Sequence, residues 1–188
     1  MRAWSRTALL DALDLPTLAA PERCIGLEPA ELVARDGLEE RAARRLAAAL
    51  ELGRRACALQ PVRGAPLSGG RDVQRFLAPH LQGLRVESFH ALYLDAKGAL
   101  LEWRRVSEGT LTASLVHPRE VYAPAVTLRA AAVVVAHNHP SGDPEPSAED
   151  RATTRRLQRA GRLLGVELLD HVVIAGPAYV SFLEQGWL

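Results

Sequence analysis

Cysteine is nearly absent. Cys24 and Cys57 stand alone, neither in a C-x-x-C pair, which argues against a zinc knuckle and against a disulfide framework. Long apolar runs are missing too: stretches such as Ala130–Ala136 fall far short of the ~20 residues a membrane span needs. Arg2 and Arg6 precede an apolar run that Asp11 and Asp14 interrupt, so no secretory signal is expected. No charge of one sign prevails either. The 23 basic and 22 acidic side chains leave a formal net charge of +1, with no global field to draw in nucleic acid or anionic lipid. A reduced, cytoplasmic protein with no membrane partner is the expectation. What is present is globular: 48% hydrophobic and 24% charged residues in a chain of 188 exclude a mostly disordered protein and suit one domain plus a smaller piece.

The chain divides near residue 65. Residues 1–60 read as helical, with leucines at 9, 10, 13, 15 and 18, breaks at Pro16 and Pro21, a stretch at Pro29–Arg35, and the Ala-, Leu- and Arg-rich segment Glu39–Ala58. That last segment has high helix propensity and an apolar face at Ala43, Leu46, Ala47 and Leu50. Residues 61–70 hold Pro61, Gly64, Pro66, Gly69 and Gly70, a linker by composition. Residues 71–188 change class. A short helix at Asp72–Leu81 precedes a hairpin of Val86–Leu94 and Ala99–Val106 about the turn Asp95-Ala96-Lys97-Gly98. A third strand is expected at Thr110–Val116, then a helix at Pro118–Arg129 kinked at Pro124. Ala131–Ala136 is continuously apolar, the pattern of a strand covered on both faces. A helix at Ser147–Leu164 and strands at Val166–Ile174 and Tyr179–Phe182 follow. The fold class is α/β, a mixed sheet flanked by helices.

The chemistry gathers where the buried strand ends, in Ala136-His137-Asn138-His139-Pro140-Ser141-Gly142-Asp143-Pro144-Glu145-Pro146-Ser147. Residues two apart on a strand share a face, so His137 and His139 present both imidazoles to one point. Imidazole is a common zinc ligand, and a catalytic zinc takes three protein ligands with one position left for water. Asp150 is the candidate third. On the helix that starts at Ser147 it lies about 260° round from Arg151, beside the apolar positions Thr153, Leu157, Ala160 and Leu164. A carboxylate turned inward needs a partner, which a metal supplies; capping of the helix by Ser147 with Asp150 is the plainer reading. Glu87 opens a strand in step with Phe89, Ala91 and Tyr93, where a solvated strand end is the plainer reading.

His137-x-His139, seven residues, Ser147, two residues and Asp150, with Glu87 upstream, resembles the JAMM (MPN+) metalloprotease signature. Glu87-Ser88-Phe89, Leu94-Asp95, Gly109-Thr110-Leu111, Val116-His117-Pro118-Arg119-Glu120, the histidine block through Pro144 and Leu169-Asp170-His171 resemble the bacterial RadC family over roughly Val62–Leu188. The resemblance implies a JAMM/MPN-like domain in which His137, His139 and Asp150 hold Zn²⁺, Glu87 is the general base and Ser147 stabilises the oxyanion. It implies a zinc-dependent hydrolase of an amide or isopeptide bond, with a peptide or protein substrate. The N-terminal part is similar to the family's helix-hairpin-helix region. Gly37-Leu38-Glu39 carries an acid where that hairpin usually has its second glycine, and a carboxylate there repels phosphate. A degenerate hairpin or a small packing domain are both open.

The family is traditionally associated with DNA repair, so nucleic-acid binding or metal-dependent nuclease activity is the alternative. Its support is a run of arginines without an intervening acid, of which Arg151, Arg155, Arg159 and Arg162 fall within about 80° on one helix face. A solvated face explains the same pattern.

Overall fold

β-Branched and small apolar residues dominate Ala132–Asn138, and every residue of that strand is buried. A strand hidden on both faces needs a layer on each side. The computed structural model supplies both; it describes residues 5–15, 18, 21–58, 64, 66–109 and 116–188. By its contacts the chain falls into two compact units, Met1–Gln60 and Pro61–Leu188.

The first unit holds α1 (Arg6–Ala12), α2 (Pro29–Asp36) and α3 (Glu40–Ala58). Its own core gathers Leu10, Leu15, Leu18, Cys24, Leu32, Ala43 and Leu46. Gly37 caps α2 in the left-handed region at φ 65°, a conformation glycine adopts without the usual Cβ penalty.

The second unit is a mixed sheet between helices, as the sequence pattern predicts. α4 (Gly70–Leu81) leads into β1 (Glu87–Leu94) and β2 (Leu100–Gly109); then come α5 (Pro118–Leu128), β3 (Ala132–Asn138), α6 (Ala148–Leu164), β4 (Glu167–Ala175) and β5 (Ala178–Ser181). The strand order is β2-β1-β3-β4-β5. Among the described strands, β3 and β4 run parallel, joined through α6, and the other pairs are antiparallel. The expected strand at Thr110–Val116 lies, apart from Val116, outside the described residues. α5 runs through Pro124.

Each sheet face has its own core. Val73, Leu77 and Leu81 recur every fourth residue on α4 and pack on Leu92, Leu94, Val134, Ala136, Val172 and Ile174. On the other face Val121, Tyr122 and Ala125 of α5 and Leu157 of α6 cover Phe89, Ala91, Tyr93, Val133 and Val135. α6 is held close to its neighbours at Gly161, where a Cβ would stand 2.4 Å from the Val166 carbonyl and 2.5 Å from the Tyr122 hydroxyl. That hydroxyl donates to the Leu157 carbonyl at 2.9 Å. That seat holds the C-terminal half of α6, while the N-terminus of the helix lies over the end of β3, where Asp150 meets His137.

Candidate metal centre

Three side chains converge at that end. His137 is the penultimate residue of β3, His139 the first beyond it, and Asp150 lies in the first turn of α6. Their ligand atoms all lie within 4.8 Å of one another. His137 Nε2 and His139 Nε2 are 3.0 Å apart; Asp150 Oδ1 is 3.2 Å from the first and Oδ2 3.5 Å from the second. Tetrahedral zinc with bonds of about 2.0–2.1 Å has ligand-to-ligand edges of about 3.3 Å, so the spacing fits.

The protonation pattern is more telling than the spacing. His139 Nδ1 sits 2.7 Å from the Asp143 carbonyl. A carbonyl only accepts, so Nδ1 carries the proton and Nε2 keeps its lone pair. The Thr154 hydroxyl donates to the Asp150 backbone carbonyl at 2.7 Å. Its single proton is thereby used, and its oxygen must accept from His171 Nδ1 at 2.6 Å. His171 Nε2 then accepts from His137 Nδ1 at 2.9 Å, which leaves His137 Nε2 as a lone pair. Burial holds His171 far below its ordinary value, so this ring is neutral. Two lone pairs and a carboxylate thus face one another without a proton of their own, and such a set calls for a cation. Outer-shell partners of this kind orient metal-binding imidazoles and fix their tautomers.

Electrostatics agree. Burial pushes the Asp150 carboxyl up, but its placement against the His137 and His139 rings, with the hydrogen bond from Ser147, outweighs burial and holds the group far below the usual carboxylate range, so it stays ionised and draws positive charge to this point. The same carboxylate raises His139 above its ordinary value against the effect of burial, with a smaller push from Glu87. Asp150 is held in turn by the capping box: Oδ2 accepts from the Ser147 amide at 2.8 Å and hydroxyl at 2.6 Å, while the Asp150 amide donates to that hydroxyl oxygen at 3.1 Å. Capping and inward placement therefore coexist. The Ser147 hydroxyl proton is committed to Asp150 here.

Glu87 is brought to the same place by pairing register. Phe89 lies opposite His137 across the β1–β3 ladder, so Glu87, two residues earlier, shares the histidine face. It is exposed, as a strand opening suggests. The four arginines do not form one free face. Arg151 donates to Glu145 at 2.9 Å and its guanidinium lies 3.8 Å above the Trp187 ring. Arg155, Arg159 and Arg162 are exposed.

Sequence reading attached no role to His171, Thr154 and Asn138. A histidine in the middle of the strand segment Val166–Ile174 is the available signal. Around the triad, Phe89 stacks on His137 at 5.9 Å and Phe182 on His171 at 4.8 Å.

Residues 67–187 match the model of the RadC-like JAB domain. The chain belongs to that family. The RadC-like chain is 54% identical to a UPF0758 protein of Symbiobacterium thermophilum over 141 residues, 75% of this chain and 60% of that relative. A UPF0758 protein of Halalkalibacterium halodurans is 44% identical over 158 residues, 84% of this chain and 68% of the relative. One from Xanthomonas campestris pv. campestris is 43% identical over 182 residues, 96% and 81% of the two chains. The chain thus spans less than two thirds of the first of these relatives. His137, His139 and Asp150 form a group that can hold a metal ion, as in a JAB-type domain. No helix among the described residues is long and apolar enough to cross a membrane.

Proposed function

We propose that this RadC-like protein is a zinc-dependent hydrolase that cleaves an amide or isopeptide bond, with His137, His139 and Asp150 as the ligands. The observation that carries it is the set of three proton-free acceptors, two of them fixed as such by Asp143 and by His171 with Thr154. A zinc ion supplies Lewis-acid polarisation and lowers the pKa of a water to ~7. Glu87, exposed on the same face, accepts the proton of the attacking water at its carboxylate and returns it to the leaving amine. Ser147 hydrogen-bonds the developing oxyanion, and to do so its proton must leave Asp150 Oδ2. Phe89 and the buried apolar face behind it keep water from the rear of the imidazoles.

The alternative is nucleic-acid binding or phosphodiester cleavage by the same centre. Its support is the exposure of Arg155, Arg159 and Arg162 on α6, the helix that carries Asp150. One assay separates the two. Purified protein is offered peptide and nucleic-acid libraries side by side, with and without chelator. Cleavage of peptides that stops with chelator is expected. Chelator-sensitive cleavage of nucleic acid alone overturns the amide reading, and cleavage indifferent to chelator overturns both.

A further inference from the structure

The ladder between β1 and β3 ends at the pair Phe89–His137. Beyond it β3 stays paired with β4 alone: the His139 amide donates to the Ile174 carbonyl at 2.8 Å. The start of β1 would therefore lose its main-chain partners on this side. The side chain of Asn138 replaces them. Its Oδ1 accepts from the Ser88 amide at 2.8 Å, and its Nδ2 donates to the Val86 carbonyl at 3.0 Å. These two bonds leave no ambiguity in the amide's orientation, since an N–H only donates and a carbonyl only accepts. They fall on the residues immediately before and after Glu87. On its other side Glu87 pairs with Gly109, the last residue of β2.

Asn138 itself lies between the two histidines and is buried, as is Ser88. One short stretch of chain thus does two things: its odd positions face the metal site and its even position grips the backbone of β1 from within the sheet. Building on the hydrolase reading, we propose that Asn138 is a positioning residue, which holds the backbone on both sides of Glu87 so that the carboxylate stays aimed at the centre formed by His137, His139 and Asp150. It touches neither the metal nor the substrate. Its effect is carried by Glu87, and small displacements of a reacting group are expensive, with ~1 Å able to cost about 10²-fold in rate.

The test uses the full chain loaded with zinc and compares Asn138→Ala, Glu87→Gln and the double variant. Hydrogen exchange at the Ser88 amide should accelerate at least ~10-fold in Asn138→Ala, while the amides of Ala91–Leu94 stay protected and zinc content is unchanged. On a cleaved library peptide, kcat should fall about 10- to 100-fold with little change in KM. The double variant should be no slower than Glu87→Gln alone, because Asn138 acts through that carboxylate. If Asn138→Ala does not fold, Asn138→Asp carries the test: it keeps the acceptor for Ser88, loses the bond to Val86, and should show the same non-additivity with Glu87→Gln.

Unchanged Ser88 exchange, or losses that multiply in the double variant, overturn the proposal. Loss of cleavage in Glu87→Gln with full cleavage in Asn138→Ala sinks it while sparing the hydrolase reading. Full cleavage in Glu87→Gln, or a wild-type protein that cleaves no peptide, sinks the hydrolase reading and the role given to Asn138 with it.

Discussion

Two buried imidazole groups lie on opposite faces of the same sheet, and they are built to opposite ends. On the α4 face His90 has both ring nitrogens satisfied: Trp103 Nε1 donates to its Nδ1 at 3.0 Å, and its Nε2 lies 2.9 Å from the Ser88 hydroxyl. Trp103 also stacks on it at 5.6 Å. Nothing is left over. On the α6 face His137 and His139 each have one nitrogen satisfied and the other turned, as a bare lone pair, toward the second ring and Asp150. Burial of histidine therefore does not mark a site. Unspent acceptors that face one another do.

The largest effect expected from probing this contrast is on turnover. Glu87→Gln should keep zinc and lose at least ~10²-fold in peptide cleavage, since the amide has the shape but cannot take a proton. Steady-state rates beside elemental analysis of the same sample check it.

Next in size is the acid response of the closed site. Burial, with Arg105 adding to it, lowers His90 to about 4 from 6.5. Below its unfolded value the unfolded chain takes up a proton that the native ring refuses, so stability falls as pH drops from about 6.5 toward 4. That difference corresponds to about 3 kcal/mol across the window. His90→Leu should be less stable at neutral pH, through loss of the acceptor for Trp103, yet decline less on acidification. Urea unfolding at several pH values, in chelator, reads both. The buried neutral His171 contributes in the same direction and persists in the variant.

The smallest effect separates the two sites by metal affinity. Thr154→Val removes the acceptor for His171 Nδ1 and should weaken zinc binding about 10- to 100-fold, the usual cost of an outer-shell partner. Trp103→Phe, which breaks the equivalent bond at His90, should leave zinc affinity alone. Competition with a chromogenic chelator measures both variants.

Local pattern carried much of this centre into view. His137 and His139 are two apart at the end of an apolar run, and Asp150 follows a recognisable helix cap at a calculable angle. The mixed sheet with flanking helices is likewise written in local periodicity. What stayed hidden depends on partners distant in sequence. His171 reaches His137 because β3 and β4 pair in parallel with Val135 opposite His171, a register set by the crossover through α6. Glu87 reaches the histidine face by the antiparallel register of Phe89 with His137. Helix angle groups Arg151 with the other arginines, and the ion pair with Glu145 together with the return of the chain to Trp187 removes it from that face. Angles along one helix do not reveal what packs against it.

The central claim is that three unprotonated acceptors at the end of β3 form a metal centre, and elemental analysis tests it most directly. Wild-type protein purified without added metal is compared with the His137→Ala, His139→Ala double variant, each checked for folding. Close to one zinc per chain in the wild type and none in the double variant is the predicted result; near-stoichiometric zinc persisting in the folded double variant would contradict it.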